Sequence, residues 1–478
     1  MHEAPDGSGV HAPSTHDGAG DPDGGPGSGV TGALVWLRDD LRLADNPALC
    51  AAIDHGGPVT VAYVLDDESP GIRPIGAASR WWLHHSLAAL DAELRERGSR
   101  LVLRRGAAAK VIDTLIADTG ADAVFWNRRY GKAERDLDAG IKSALTDAGT
   151  AAHSFAANLL WEPWTVLTGQ GEPYKVFTPF WRAAQAMPEP RHPLPMPRDL
   201  PTPARVASDD LDDWALLPTR PDWAGGLRDV WEPGERGAHL RLEHFVTGAL
   251  EDYDHRDEPA MEATSALSPH LRWGEVSPYQ VWHRLHERLE PEQQKHTSAF
   301  LRQLAWREFN WNEYFHCEDI ATVNVRREFD AFPWREPDEH EIDRWRRGDT
   351  GFDLVDAGMR ELWRTGAVHN RVRLAAGSFL VKNLLVDWRV GERWFWDTLV
   401  DADPANNPAN WQWVAGSGFD AAPFFRVFNP DRQLERFDPH REYVHRWVPS
   451  DELRPEPMVD LRETRQRALD AYDRMRRS

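Results

Sequence analysis

Short apolar runs alternate with amphipathic helical patterns over the first third of the 478-residue chain. Five of these runs are typical of buried strands, and they are Ala33–Arg38, Val59–Asp66, Arg100–Arg105, Asp122–Asn127 and Ala152–Ala157. Neighbouring parallel strands need a crossover connection, which is usually a helix. The alternation therefore predicts a doubly wound parallel sheet, a Rossmann-like α/β domain over residues 31–160. No G-x-G-x-x-G or G-x-x-x-x-G-K-[ST] follows the first run, which argues against the usual dehydrogenase or NTPase.

The remainder of the chain changes character twice. Residues 161–234 are rich in proline, with MPEPRHPLPMPRDLPTP at their centre, and this composition predicts an extended, semi-rigid linker. Over residues 235–478 apolar positions recur at three- and four-residue spacing, which predicts an all-helical domain. Residues 1–30 are mostly Gly, Pro, Asp, Ser and His, and they are predicted to be a disordered tail.

The composition limits the classes of partner. The chain holds 23 tryptophans, most of which we assign to the core because buried aromatic side chains normally serve packing. Cys50 and Cys317 give neither a disulfide framework nor metal-ligand spacing. No apolar run approaches the ~20 residues of a membrane helix, and the N-terminus lacks the basic and apolar stretches of a signal peptide. We therefore expect a cytoplasmic protein with no metal and no membrane partner.

The net charge of −21 does not exclude a nucleic-acid partner. DNA binding depends on a local basic patch rather than on the sum over the chain. Part of the negative charge lies in the predicted tail, where no Lys or Arg precedes Arg38. A cationic groove on the folded part is compatible with this balance.

One loop of the helical half is both polar and aromatic. The stretch DADPANNPANWQWVAGSG, from Asp401 to Gly418, combines turn-forming Asp, Asn, Pro and Gly with Trp411 and Trp413. A simple connector needs no such mixture. The stretch predicts the wall of a pocket that holds a flat, hydrogen-bonding group.

Three further segments carry polar side chains within helical patterns. The hydroxyl-rich turn Thr264–Ser277 either binds an anion or caps a helix that begins at Ser277. Gln303 and Arg307 share one helical face, and they either grip a polar ligand or bond neighbouring helices. The segment HNRVRLAAGSF places basic groups at the start of a helix, where they oppose the helix dipole, and this favours an anionic partner.

Together these segments resemble the photolyase/cryptochrome family over nearly the whole chain after the tail. The segments that carry the resemblance are WLRDDLRLADNPAL, YKVFTPFWR, TSALSPHLRWGEVSP, LAWREF, TGFDLVDAGMREL, HNRVRLAAGSFLVKNLLVDWR and DADPANNPANWQWVAGSGFDAAPFFRVFNP. So many ordered segments at family spacing make the resemblance specific. Within the family the chain looks most like a class I cyclobutane pyrimidine dimer photolyase.

The resemblance implies that FAD binds inside the helical domain. Asp401 and Asp403 would bond the edge of the isoalloxazine, Arg373 would pair with Asp401, and Asn407 would face the flavin N5 and tune the cofactor. The positions implied around the phosphates, adenine and ribityl chain are Tyr253, Thr264, Ser265, Ala266, Leu267, Ser268, Gln303 and Arg307.

The resemblance also implies a second, antenna chromophore in or beside the N-terminal domain. It would be methenyltetrahydrofolate or 8-hydroxy-5-deazaflavin, and the segment FWNRRYG (Phe125–Gly131) would lie near its site. The sequence does not decide between the two chromophores.

The resemblance divides the tryptophans by role. Trp411, Trp388 and Trp334 match an electron relay from the flavin to the surface. Trp306 and Trp413 match residues that stack on an extruded DNA lesion. The other implied contacts to the lesion or DNA are Arg256, Gln303, Asn370, Arg371 and Gln433.

These implications favour light-driven DNA repair by a monomer that binds DNA containing pyrimidine dimers. Photoexcited, reduced FAD would split cyclobutane pyrimidine dimers by electron transfer. The alternative is a cryptochrome-type blue-light photoreceptor without repair activity, although the chain ends at LDAYDRMRRS without a long effector tail.

A third interpretation is repair of (6–4) photoproducts. That reaction would need a histidine as general acid, and the family pattern would place histidines where this chain has Asn370 and Leu374. Two positions depart from the dimer-repair pattern, since Gln303 stands where Glu is frequent and Leu374 where Met is frequent.

Overall fold

The computed structural model describes most of the chain. The described residues are 32–287, 294–317, 319–421, 425–449 and 451–477. The predicted tail, residues 1–30, lies outside them.

Five parallel strands form one sheet in the order β3-β2-β1-β4-β5. The strands are β1 (Gly32–Leu37), β2 (Val59–Leu65), β3 (Leu101–Arg105), β4 (Ala121–Asn127) and β5 (Ala151–Phe155). They are connected by helices α1 (Pro47–His55), α2 (Ala77–Glu96), α3 (Ala108–Thr119) and α4 (Lys132–Asp147). Because β1 is central and the chain winds outward from it in both directions, right-handed crossovers place helices on both faces. This is the predicted doubly wound α/β domain.

The alternating side chains of β1 belong to two separate cores. Ala33, Val35 and Leu37 pack in one apolar cluster with residues of α1 and α2. Leu34 and Trp36 pack in the other with residues of α3 and α4. A strand covered on both faces needs apolar residues at every position, which is why this run has no polar alternation.

The proline-rich connection contains helices that the sequence pattern did not predict. Helix α5 (Phe177–Gln185) lies near its start and α6 (Gly225–Val230) near its end. The central part lies along the sheet, where Asp209 donates its N–H to the carbonyl of Leu103 at 2.9 Å. The linker is thus extended only in its middle, and its limits at 161 and 234 stay a prediction.

After β5 the described residues form helices and loops and no further strand. The helices are α7 (Glu235–His244), α8 (Ser268–Arg272), α9 (Pro278–His286), α10 (Gln294–His316), α11 (Glu339–Arg347), α12 (Asp353–Thr365), α13 (Asn370–Ser378), α14 (Trp388–Thr398), α15 (Asn406–Ala415), α16 (Pro430–Phe437), α17 (Glu442–Trp447) and α18 (Leu461–Arg477). The start of α9 is a capping box, because Ser277 accepts from the N–H of Gln280 and the Gln280 side chain accepts in return. The prediction of a helix start at Ser277 is confirmed, as is the all-helical C-terminal region.

The segment WLRDDLRLADNPAL ties the two regions together. Arg42 is fully buried and donates to the carbonyls of Gly274 at 2.8 Å and Ala157 at 3.0 Å. The backbone N–H groups of Leu43 and Ala44 donate to the buried carboxylate of Glu235 at the start of α7. These bonds satisfy charges that would otherwise be costly to bury, so this segment holds the helical region against the sheet domain.

None of the helices in the described part of the chain is long and apolar enough to span a membrane. In the same part of the chain, no group of three or more His, Cys, Asp and Glu side chains could hold a metal ion.

Candidate functional site

Helices α8, α10, α13, α14 and α15 enclose a cavity of about 260 Å³ in the helical region. Its apolar lining includes Phe300, Leu374, Phe395 and Trp411. Its polar lining comprises Ser265, Ser268, Gln303, Arg307, Asn370, Arg373, Asp401, Asp403, Asn406, Asn407 and Asn410. Apolar walls with a few convergent polar groups are typical of a cofactor site.

Asp401 is held in this wall by an arginine and a serine. Arg373, on α13, donates from Nη2 to both carboxylate oxygens of Asp401 at 2.8 and 3.0 Å, and Ser268 donates its hydroxyl at 2.7 Å. The Asp401 side chain is only 7% exposed, so these donors are what keep the charge stable there. The Arg373–Asp401 pair implied by the family resemblance is present.

Asp403 shapes the loop as well as lining the cavity. Its carboxylate accepts the N–H of Ala405 at 2.9 Å and both the N–H and the side-chain amide of Asn406 at 2.5 and 2.6 Å. Burial raises the pKa of Asp403, and the bonds from Asn406 oppose that rise. The residue therefore fixes the start of α15, which carries Asn407 into the cavity.

Asn407 is held by a residue that the sequence did not single out. Its amide nitrogen donates to the carboxylate of Glu392 at 2.9 Å and to the Glu392 carbonyl at 3.1 Å. Glu392 is buried, and Arg73 of the sheet domain grips it with two bonds of 2.7 and 2.9 Å. Arg73 and Glu392 are 319 residues apart and match no local motif, so only the folded chain reveals them.

The other predicted cofactor positions surround the cavity at different depths. Ser265, Leu267, Ser268, Gln303 and Arg307 line it. Three predicted positions are not part of the lining, namely Tyr253, Thr264 and Ala266. Tyr253 is buried, with its ring edge-to-face against Phe300. Thr264 is exposed, and Ala266 has a left-handed backbone at φ 50°. Arg307 also donates from Nη1 to the Asn158 carbonyl at 3.0 Å and to the Glu308 carboxylate at 2.9 Å.

The three predicted relay tryptophans lie along one apolar cluster. Trp411 lines the cavity, Trp388 is fully buried and donates its indole N–H to Asn324 at 2.9 Å, and Trp334 is partly exposed at the edge of the cluster. The three rings therefore differ in exposure, from the cavity wall and the buried core to the partly exposed Trp334. Whether electrons follow it stays a prediction.

Trp411 is packed closely enough that a neighbouring glycine is required. A Cβ on Gly391 would lie 2.1 Å from Cη2 and 2.4 Å from Cζ3 of Trp411. Replacing Gly391 by alanine should displace the indole and destabilise the fold by about 1–3 kcal/mol, as overpacking does. A denaturant titration followed by flavin fluorescence measures this loss.

Gly377 provides the matched control for that change. It also faces Trp411 from a helix, yet its Cβ would lie 3.6 Å from Cζ3, an ordinary contact. Gly377→Ala should therefore cost much less than Gly391→Ala. Equal losses would contradict a rigidly packed Trp411.

The predicted lesion and DNA contacts are more dispersed. Gln303 and Asn370 line the cavity. Trp306 does not, because its ring stacks on Phe177 with centroids 3.8 Å apart. Trp413 lies half-buried beneath the guanidinium of Arg426, and Gln433 is half-buried on α16. Arg371 pairs with Asp257 at 2.5 Å, and Arg256 donates to the Tyr253 carbonyl at 3.0 Å.

The side chains present fit FAD. Asp401, Asp403 and Asn407 supply hydrogen-bonding groups to a cavity that is otherwise largely apolar, which suits a flat ring with polar rims. Arg307 and two serine hydroxyls, those of Ser265 and Ser268, lie where they could meet a diphosphate. Each of these polar groups can form hydrogen bonds to FAD.

Comparisons with known proteins agree with the geometry. A family model described as DNA photolyase matches residues 33–199, and one described as the FAD binding domain of DNA photolyase matches residues 300–455. The second model supports FAD as the cofactor. Its range contains Gln303, Arg307, Arg373 and the Asp401 loop.

The chain is also similar to individual proteins over most of its length. It is 48% identical to a deoxyribodipyrimidine photo-lyase of Agrobacterium fabrum, covering 92% of this chain and 97% of that one. It is 38% identical to cryptochrome-1 of Arabidopsis thaliana, covering 89% of this chain and 63% of that one. A crystal structure of a bacterial class III photolyase from Agrobacterium tumefaciens superposes with a TM-score of 0.89 at 46% identity, covering 94% and 98% of the two chains.

These similarities bear on two predictions from the sequence. The predicted enzyme class, a deoxyribodipyrimidine photo-lyase, is confirmed by the relatives. The assignment to class I is not confirmed, because the similar solved structure is a class III photolyase. The chain belongs to the photolyase/cryptochrome family.

Proposed function

We propose that this protein uses light to split cyclobutane pyrimidine dimers in DNA, with FAD bound in the cavity of the helical region. Reduced FAD held there would supply an electron to the dimer upon excitation and take it back after the ring opens. The observation that carries the proposal is a shared cavity. Gln303 and Asn370, predicted to touch the lesion, line the same space as Asp401 and Asn407, predicted to hold the flavin.

Each group of residues has a proposed task in this reaction. Asp401, fixed by Arg373, and Asn407, fixed by Glu392, orient the flavin ring. Gln303 and Asn370 offer amides to the carbonyls of an extruded dimer, and Trp306 and Trp413 stack on it. Arg256 and Arg371 meet phosphates near the mouth, so binding should weaken as salt increases.

Repair of (6–4) photoproducts finds little support at this cavity. Asn370 and Leu374 line it where that chemistry would need histidine. The adjacent His369 uses Nε2 to donate to the Arg256 carbonyl and Nδ1 to accept the N–H of Arg371. Burial lowers the pKa of His369, and both of its ring nitrogens are already engaged in hydrogen bonds.

A cryptochrome-type photoreceptor without repair is the second candidate. It is favoured by the similarity to cryptochrome-1, and it would use the same cavity and the same tryptophans.

The proposal has three further parts: an antenna chromophore beside the N-terminal domain, a monomeric state and a cytosolic location.

One assay distinguishes repair from signalling. Reduced holoenzyme is mixed with an oligonucleotide that contains one thymine dimer, illuminated, and assayed for restored thymines, with a dark sample as control. We expect restoration only in the light. If no thymine is restored and dimer-containing DNA binds no better than intact DNA, the photoreceptor replaces the enzyme as the proposed function.

Replacing Trp306 by alanine should weaken binding of dimer-containing DNA by roughly ten- to a hundredfold, because stacking contributes ~1–3 kcal/mol per base. Intact DNA is held mainly through phosphates and should bind nearly as before. The two dissociation constants, measured in the dark at fixed salt, test this. Equal losses for both DNAs would remove Trp306 from the lesion contacts.

A further inference from the structure

The ring of Trp306 is held on one face before any DNA arrives. Phe177, the first residue of α5, lies against it with ring centroids 3.8 Å apart and an angle of 6° between the planes. Phe309 meets the same indole edge-to-face, with centroids 5.7 Å apart and planes at 86°. Phe177 is buried, whereas Trp306 remains half-buried, so only part of the indole is left for another ring to cover.

Phe177 is in turn fixed by the loop that follows the flavin-side helix α15. Asp420 donates its N–H to the carbonyl of Lys175, two residues before Phe177, at 3.0 Å, and the backbone of Phe177 helps to lower the pKa of the Asp420 carboxyl. Asp420 has a left-handed backbone at φ 52°, a conformation that costs energy in a residue other than glycine. Such a conformation persists only where the surrounding structure holds it. Here the bond from Asp420 to Lys175 joins the segment after α15 to the residues just before α5.

The same carboxylate acts on residues beside both predicted stacking tryptophans. Burial raises the pKa of Asp420, while the charges of Arg426 and Arg302 oppose that rise. The Arg426 guanidinium lies 5.6 Å from the Trp413 ring centroid, and that of Arg302 lies 5.1 Å from the Phe177 ring centroid. The Asp420 carboxylate therefore interacts electrostatically with a cation beside Trp413 and with a cation beside Phe177, the support of Trp306.

We propose that Phe177, fixed by Asp420, is a positioning residue for the DNA lesion and acts through Trp306. An indole that can rotate must be ordered when a base stacks on it, and this ordering reduces affinity. An indole already stacked on Phe177 presents its open surface in one orientation. The inference rests on the proposed function, because it concerns the same lesion-binding step and adds residues to it.

The test measures how strongly the holoenzyme prefers dimer-containing DNA. The preference is the ratio of the dissociation constants for intact and dimer-containing oligonucleotides, measured in the dark. Phe177→Leu keeps an apolar side chain but removes the flat ring. Phe177→Met, whose flexible apolar side chain fills the same space, serves as a second variant if the first folds poorly. Each should lower the preference about two- to tenfold, the range expected for freeing one side chain.

Phe180 supplies the matched control. It is as buried as Phe177 and lies on the same helix, and it contacts Phe309 and Tyr174. Phe180→Leu should therefore perturb packing to a similar degree and leave the preference unchanged. Flavin content, measured for every variant, should stay constant.

A double variant tests whether Phe177 acts through the indole. In a Trp306→Ala background, adding Phe177→Leu should cause no further loss of preference. The inference is overturned if Phe177→Leu lowers the preference no more than Phe180→Leu does, or if it lowers it equally without Trp306. If the unmodified holoenzyme shows no preference and no repair, the proposed function fails and this inference fails with it.

Discussion

Replacing Trp411 by phenylalanine is expected to slow photoreduction of bound, oxidised FAD by orders of magnitude. The indole lines the cavity, and the buried Trp388 and the partly exposed Trp334 pack in the same apolar cluster as Trp411. Phenylalanine keeps an aromatic ring but is far harder to oxidise than an indole. Illumination of the purified holoenzyme with an added electron donor, followed by flavin absorption, measures the rate.

The same variant should still repair DNA when its flavin has been reduced chemically. Repair needs an electron to move only between the cofactor and the lesion, whereas photoreduction needs one from outside. Trp345→Phe is the control, because Trp345 is also buried and its ring lies 6.3 Å from Trp411. An unchanged photoreduction rate in Trp411→Phe would show that Trp411 serves packing and that electrons enter by another route.

Much of the fold was predictable because local pattern and tertiary environment agree. The strands of the sheet domain are apolar at nearly every position, and such runs separated by helices have few alternatives to a covered parallel sheet. Helix α5 was missed because proline on either side of it suggested an extended chain. The apolar face of α5 packs against α10, where Phe177 stacks on Trp306, and such a contact is not visible in the local sequence.

The candidate site was predictable where its residues are close together in sequence. Asp401 and Asp403 lie just before α15 and Asn407 in its first turn, while Gln303 and Arg307 lie on one face of one helix. Residues that act from a distance gave no signal. Glu392 looks like one more charge on an amphipathic helix, and Arg73 like a surface arginine in a loop, until the fold brings them to Asn407.

Replacing Glu392 by alanine should destabilise flavin binding in the helical region. The carboxylate is buried and compensates Arg73, so its removal leaves an unpaired cation and frees the Asn407 amide. Losing one partner of a fully buried pair costs about 3–5 kcal/mol, and because Arg73 is 30% exposed we expect about 2–3 kcal/mol. The denaturant midpoint for flavin release measures the loss.

Two further substitutions separate charge from hydrogen bonding. Glu392→Gln keeps an oxygen that can accept from Asn407 but loses the charge that Arg73 needs, so it should recover only part of the stability. The control is Asp229→Ala, which breaks the ion pair of Asp229 with Arg364 at 3.2 Å; both side chains are more than 60% exposed. Exposed pairs contribute little, so this change should stay within about 1 kcal/mol. If Glu392→Ala costs no more than Asp229→Ala, the connection from Arg73 to Asn407 does not support the flavin site, and Asn407 must be oriented by the cofactor itself.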